Sequence, residues 1–267
     1  MLIGDLTIPQ VISGVIVLYI SFILFAYIFA DRVAFLFTRS SYKNFDNIIN
    51  IRIDDNAAVT ALYLPNPQAK YTVLFSHGNA EDIGDMRYWM SEYRAAGFSI
   101  LAWDYRGYGQ STGTVWESNF YSDAELFYDY LVNELNVEPE NIIVHGRSIG
   151  GAAAMHLAAN KKVAGLILES TFISLFRAAW KPRFLPVDRY KNLDKITSVE
   201  SPILVIHGKR DRIVGFWHSQ KLFDKAPDPK QCYWVDQAGH NNLYLVTGDE
   251  YWKKLTDFAK LIDQQGD

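Results

Sequence analysis

A mostly parallel β-sheet covered by helices on both faces, preceded by one membrane-crossing helix, is the architecture this sequence predicts. Three observations lead there. Past residue 45, short continuous apolar runs alternate with helical patterns, as buried parallel strands and their crossovers do. Two alternating segments at the start of that region read as a hairpin, which adds antiparallel strands at one edge. From Ile8 to Ala30 no side chain is charged. The chain has 267 residues, 49% hydrophobic and 21% charged, which is ample for one large domain with an ordinary core.

The uncharged run comes first. As a helix it rises roughly 35 Å at ~1.5 Å per residue, enough to cross a bilayer core of ~30 Å. A cleaved signal peptide would open with Lys or Arg, whereas MLIGDLT carries only Asp5. A core helix of a soluble protein rarely runs this long without a polar face. The expected organisation is an anchor over residues 1–35, spanning about 8–30, and one folded domain over 36–267. Arg32, Arg39 and Lys43 follow the span and only Asp5 precedes it, so the positive-inside rule places the folded domain in the cytoplasm.

Strands are expected from Ile48 to Ile53 and from Ala57 to Leu64 around the turn-like Asp54-Asp55-Asn56. Further strands are read over Tyr71 to Ser76, Phe98 to Asp104, Asn141 to His145, Val163 to Leu168, Ile203 to His207 and Gln231 to Val235, about eight in all. Helices are expected over Asp85 to Ala96, Ser148 to Asn160, Gln220 to Lys225 and Glu250 to Asp263. Ser122 and Glu125 form a capping-box pattern that predicts another helix start. Between Thr171 and Thr197 the pattern is irregular, with Pro182 and Pro186.

Composition excludes several function classes. The formal net charge is −4 and no Lys/Arg run footprints phosphates, so no nucleic-acid partner is expected. The single cysteine, Cys232, cannot form an internal disulfide. No H-E-x-x-H, Cys/His cluster or Walker pattern occurs, so no metal or cofactor is implied. Gly107, Gly109 and Gly113 depart from the dinucleotide spacing and read as a flexible loop.

Chemistry concentrates after the strands, where sheets of this kind bind ligands. Gly146-Arg147-Ser148-Ile149-Gly150 fits G-x-S-x-G between an apolar strand and an Ala-rich helix. That turn is tight, so the residues flanking the serine by two must lack side chains, and the serine oxygen stands at a helix N-terminus. A serine hydroxyl needs a base to take its proton. His240 follows the last strand and is the expected base. Asp211 follows the strand ending at His207 and is the expected acid, with Asp236 as the competitor. The expected oxyanion donors are the backbone N–H groups of Ile149 and Asn79, with Ala80 as the alternative to Asn79. His77, His145 and His207 read as bracing residues, His156 as a satisfied core or surface residue, and His218 has no assigned place.

The ordered segments LFSHGNAEDIGD, WDYRGYGQSTG, VHGRSIGG, SPILVIHGKRDRIV and QAGHNNL resemble the α/β-hydrolases. More narrowly they are similar to the membrane-anchored bud-emergence-type branch, near the serine-aminopeptidase-like group. The resemblance covers roughly residues 45 to 265. It implies a triad of Ser148, Asp211 and His240, with Asn79 and Ile149 as oxyanion donors. It also implies a short cap, here about 171–197, where Phe172, Leu175, Phe176, Trp180, Phe184 and Leu185 alternate with Arg177, Lys181 and Arg183. An apolar lid facing the membrane is the reading of that stretch. Some relatives are thioesterases that remove acyl chains from proteins and carry an N-terminal cysteine cluster; this chain has an apolar span there instead. The expected function is hydrolysis of an ester or thioester in acylated or lipid-like substrates near a membrane, through an acyl-enzyme on Ser148. A peptidase or amidase with the same triad and a non-catalytic hydrolase-fold scaffold are the alternatives.

Overall fold

The computed structural model describes residues 7–35, 39–43, 47–179 and 186–265. It opens with α1 (Ile8–Ala34), a helix of 27 residues. Thr7 precedes it and donates its backbone N–H to Gln10 Oε1 at 2.9 Å, and Pro9 occupies the first turn, where its missing N–H costs nothing. Its exposed apolar surface, with Val15 61% and Leu18 72% exposed, makes it long and apolar enough to cross a membrane. The sequence expected the span to end near residue 30, and one further turn continues the helix onto the folded domain.

The domain follows as β1 (Ile48–Arg52), β2 (Ala58–Leu64), β3 (Thr72–Ser76), α2 (Arg87–Ala95), β4 (Ser99–Trp103) and α3 (Glu117–Asn133). Then come β5 (Ile142–Arg147), α4 (Gly150–Asn160), β6 (Gly165–Glu169), α5 (Leu175–Ala179) and α6 (Asn192–Lys195). It closes with β7 (Ile203–Gly208), α7 (Trp217–Lys225), β8 (Lys230–Val235), α8 (Leu243–Thr247) and α9 (Asp249–Asp263). Among the described residues the strands form one 8-stranded sheet in the order β1-β2-β4-β3-β5-β6-β7-β8. β1 with β2 and β2 with β4 pair antiparallel, and the remaining neighbours are parallel. This is the α/β-hydrolase sheet the motifs predict.

Alternation along each strand divides the core between the sheet's faces. Leu74, Leu101, Val144, Leu166 and Val205 pack with α3 and α4 on one side. Val73, Ile100, Ile143, Ile167 and Leu204 pack with α2 and α9 on the other. The Ala-rich face of α4 is almost wholly buried, because small side chains let that helix lie close to the strands.

Some elements differ from the sequence reading. α3 starts at Glu117, before the Ser122 pattern: Asn119 Oδ1 accepts the Trp116 N–H at 2.7 Å and opens the helix. Ser122 lies inside it, its hydroxyl bonded to Asn119 O at 3.2 Å. The short helices α5, α6 and α8 carry too few residues for a periodic signal. The loop through Gly107 and Gly109 is packed rather than loose. Gly109 has φ +52°, and a Cβ there would stand 1.8 Å from Asp104 Oδ2. In the region expected to be a cap, α5 is capped by Asp188, which accepts the Phe176 N–H at 2.9 Å. Trp180, Lys181, Arg183, Phe184 and Leu185 lie outside the described residues.

Candidate active site

The strand order reverses between β3 and β5, where neighbouring crossovers leave in opposite directions and open a crevice beyond the strand ends. The elbow after β5 holds Ser148 with φ +54°, a strained value for a side chain with a Cβ. The surroundings enforce it. The Ser148 N–H donates to Glu169 O at 2.8 Å, and Thr171 Oγ1 donates to Ser148 O at 2.7 Å. A Cβ on Gly146 would meet Gly150 O at 2.3 Å, and one on Gly150 would meet Ser76 O at 2.0 Å. Both glycines of the motif are therefore required by close backbone approach.

β7 and β8 deliver the other two expected residues. Their loops are tied together, with Arg210 N–H donating to Ala238 O at 2.9 Å. His240 Nε2 lies 3.0 Å from Ser148 Oγ, and His240 Nδ1 lies 2.7 Å from Asp211 Oδ2. The carboxylate can only accept, so Nδ1 carries the proton and Nε2 is left to accept from the serine hydroxyl. Asp211 Oδ1 accepts the N–H groups of Ile213 and Val214 at 2.9 and 2.8 Å. Burial raises the pKa of this carboxyl, but the hydrogen bonds from His207 and His240 outweigh it and hold the group well below the usual range. Asp236, the competitor, pairs at the surface with Lys209 at 2.6 Å.

Both residues expected to supply oxyanion donors line the cavity that Ser148 lines. Ile149 opens α4, and its N–H donates to no other group among the described residues. Ala80, the alternative to Asn79, spends its N–H on Asn79 Oδ1 at 3.0 Å. The Asn79 side chain is anchored twice more: Tyr108 OH donates to its Oδ1 at 2.6 Å, and its Nδ2 donates to Ala34 O of α1 at 2.6 Å. Arg147 pairs with Glu81, whose Oε2 accepts the Gly78 N–H at 3.1 Å, so the elbow and the β3 loop brace one another.

The remaining histidines take fixed places. His77 stacks on Tyr105 with centroids 4.0 Å apart, and burial lowers its pKa to about 4. His145 is buried between Tyr93 OH at 2.6 Å and Glu169 at 3.4 Å. His207 stands 3.2 Å from Asp211 Oδ2 and 2.9 Å from Val214 O, bracing the acid directly. His156 pairs with Glu125 at 2.6 Å, and His218 is buried against Trp217 with its Nδ1 accepting the Ile173 N–H at 3.2 Å.

A cavity of about 560 Å³ adjoins Ser148 and His240. The domain lines it with Leu175, Phe176, Ile213 and Val214, and its opposite wall comes from α1, through Phe22, Phe25, Phe29 and Val33. That wall was missed in the sequence, where the run read simply as an anchor. The signal was present, because Phe22, Phe25, Phe29 and Val33 recur at helical spacing. Asp31 was a second missed residue. It is 1% exposed, bonded to Arg189 and to Tyr190 OH at 2.7 Å, and fixes the end of α1 to the domain.

Residues 67–187 match the family profile described as serine aminopeptidase, S33. Human alpha/beta hydrolase domain-containing protein 17B is 38% identical over 197 residues, covering 73% of this chain and 68% of the relative. The mouse 17C protein is 36% identical over 195 residues, 72% of this chain and 60% of the relative. Among solved structures, a Pyrococcus furiosus esterase superposes with TM-score 0.70 at 18% identity, covering 84% of this chain and 98% of that one. Mouse alpha/beta hydrolase domain-containing protein 10 superposes with TM-score 0.61 at 16% identity, covering 82% and 99%.

Proposed function

Because this chain belongs to the α/β-hydrolase family, with the domain-containing 17 proteins among its relatives, we propose that it is a serine hydrolase cleaving long-chain acyl esters or thioesters at a membrane. The observation that carries the proposal is the relay Asp211–His240–Ser148, at 2.7 and 3.0 Å, opening into an apolar cavity. Ser148 Oγ attacks the acyl carbonyl while His240 Nε2 takes its proton. The oxyanion is received by the N–H groups of Ile149 and Asn79 at the N-terminus of α4. His240 then protonates the leaving alcohol or thiol, and an ester of Ser148 remains. Water, deprotonated by His240, attacks the acyl carbonyl; the bond to Ser148 Oγ breaks, His240 returns its proton to Oγ, and the acid leaves. Asp211 holds the imidazole tautomer and stabilises the imidazolium.

The peptidase reading takes its support from the matched profile's description. Against it, the described lining of the cavity holds no Asp or Glu to receive a peptide's free amine. The topology proposal keeps the domain in the cytoplasm: Asp31, the acidic residue at the end of the span, is spent on Arg189, and Arg32 remains beside it. The experiment is hydrolysis of p-nitrophenyl esters from acetate to palmitate by the full-length protein, beside aminoacyl p-nitroanilides and Ser148→Ala. Ester turnover that vanishes in Ser148→Ala supports the proposal. Turnover of the anilides alone replaces it with the peptidase reading.

A further inference from the structure

We infer that α1 is a working part of the substrate site as well as an anchor: it forms one wall of the acyl-chain tunnel, and the chain enters that tunnel sideways from the bilayer. The inference rests on the acyl-hydrolase reading of Ser148 and deepens it.

Phe22, Phe25, Ala26, Phe29 and Val33 stand at i, i+3, i+4, i+7 and i+11, which share one helix face, and each lines the cavity beside Ser148. From Phe22 to Val33 the helix rises about 16 Å at ~1.5 Å per residue, a length that lies along an extended acyl chain. The wall is apolar throughout, as a hydrocarbon requires and a peptide or sugar does not.

The cavity also has a direction. At Ser148 and His240 it meets the C-terminal end of α1, where Ala34 O accepts from Asn79 Nδ2 of the same lining. From there its lining runs back along α1 by about three turns to Phe22 and Phe25, which are 48% and 59% exposed. Those residues belong to the uncharged run that would lie within the bilayer. A substrate arriving there never exposes its chain to water, and its ester or thioester end reaches the serine at the membrane surface.

The helix is held firmly enough to act as a wall. Asp31 is buried with Arg189 and Tyr190, and Phe35 enters the domain core at 1% exposure. The Ala34 carbonyl accepts from Asn79 Nδ2 at 2.6 Å, so the end of the helix touches the loop that carries a proposed oxyanion donor. A flexible tether would need none of these contacts.

The test uses the full-length protein in phosphatidylcholine nanodiscs. Ala26→Trp fills the tunnel, and Leu24→Trp on the lipid side of α1 is the control. Each methylene denied burial costs about fourfold in binding, so loss of even two lowers the palmitate-to-acetate ratio of kcat/KM about fifteenfold. Ala26→Trp is expected to show at least that fall, with Leu24→Trp keeping the wild-type ratio. An unchanged ratio in Ala26→Trp overturns the inference. A second measurement is independent of turnover. Palmitate bearing a diazirine at its far end should crosslink to the peptide holding Phe22 and Phe25, in the wild type and in Ser148→Ala alike. Crosslinks confined to the folded domain overturn the inference. If no ester is hydrolysed but the crosslink falls on α1, the hydrolase reading fails and the acyl-binding wall stands.

Discussion

Replacing Asp31 with alanine should loosen α1 from the domain, at a cost that follows from the local geometry. The Asp31 side chain is 1% exposed; its oxygens meet the Arg189 guanidinium, Tyr190 OH at 2.7 Å and the Glu117 N–H at 3.3 Å. Removing one member of a buried ion pair costs about 3–5 kcal/mol, because the partner charge is left without compensation. Arg189 keeps Glu117 Oε2 at 2.7 Å and is 15% exposed, which points to the lower end, about 3 kcal/mol. For a domain of this size the melting temperature should fall by about 6–12 °C. Asp31→Asn keeps an acceptor for Tyr190 and should lose about half as much. The assay is thermal denaturation of the full-length protein in detergent, followed by circular dichroism, with Leu24→Ala as control. If Asp31→Ala melts within about 1 °C of the wild type, the cluster does not hold the helix and the reasoning fails.

Two further predictions follow from buried carboxyls. Asp211→Asn keeps the shape of the relay but removes the acceptor that fixes the His240 tautomer, so ester kcat should fall about ten-thousand-fold in steady-state assays with folding intact. Burial raises the pKa of Asp104 to about 7 from 3.8, against the hydrogen bond from Tyr42 OH and the Ile83 N–H. Between those values the folded protein binds more protons at this site than the unfolded chain, so Asp104 lowers stability as pH rises through that window. His77 and His218, lowered by burial to about 4 and about 3, pull the other way below their ordinary 6.5. The readout is therefore a difference: in melting curves from pH 5 to 8, the melting temperature of wild type minus that of Asp104→Asn should fall with rising pH. A constant gap would show that Asp104 does not titrate in that range.

The sheet was legible because parallel strands buried on both faces are apolar along their length, as VLF in β3 and ILAW in β4 are. The relay was legible because its chemistry fixes residue types at particular strand ends, and Ser148, Asp211 and His240 stand there. Contacts between distant segments were not. Asp31 finds Arg189, and Asn79 finds Ala34, across separations no local pattern encodes. Phe22, Phe25 and Phe29 carry the same hydrophobic signal whether they face lipid or a substrate tunnel. The start of α3 was misplaced because Ser122-x-x-Glu125 inside a helix looks the same as one that begins it.

If Ser148 is the nucleophile, the acyl-enzyme can be trapped. Full-length protein is mixed with p-nitrophenyl palmitate, quenched in acid within one turnover and digested, and the peptides are weighed by mass spectrometry. A palmitoyl adduct on the peptide at Ser148 and a matching burst of nitrophenol are expected in the wild type, and neither in Ser148→Ala. Undiminished hydrolysis by Ser148→Ala, or an adduct on another residue alone, would contradict that assignment.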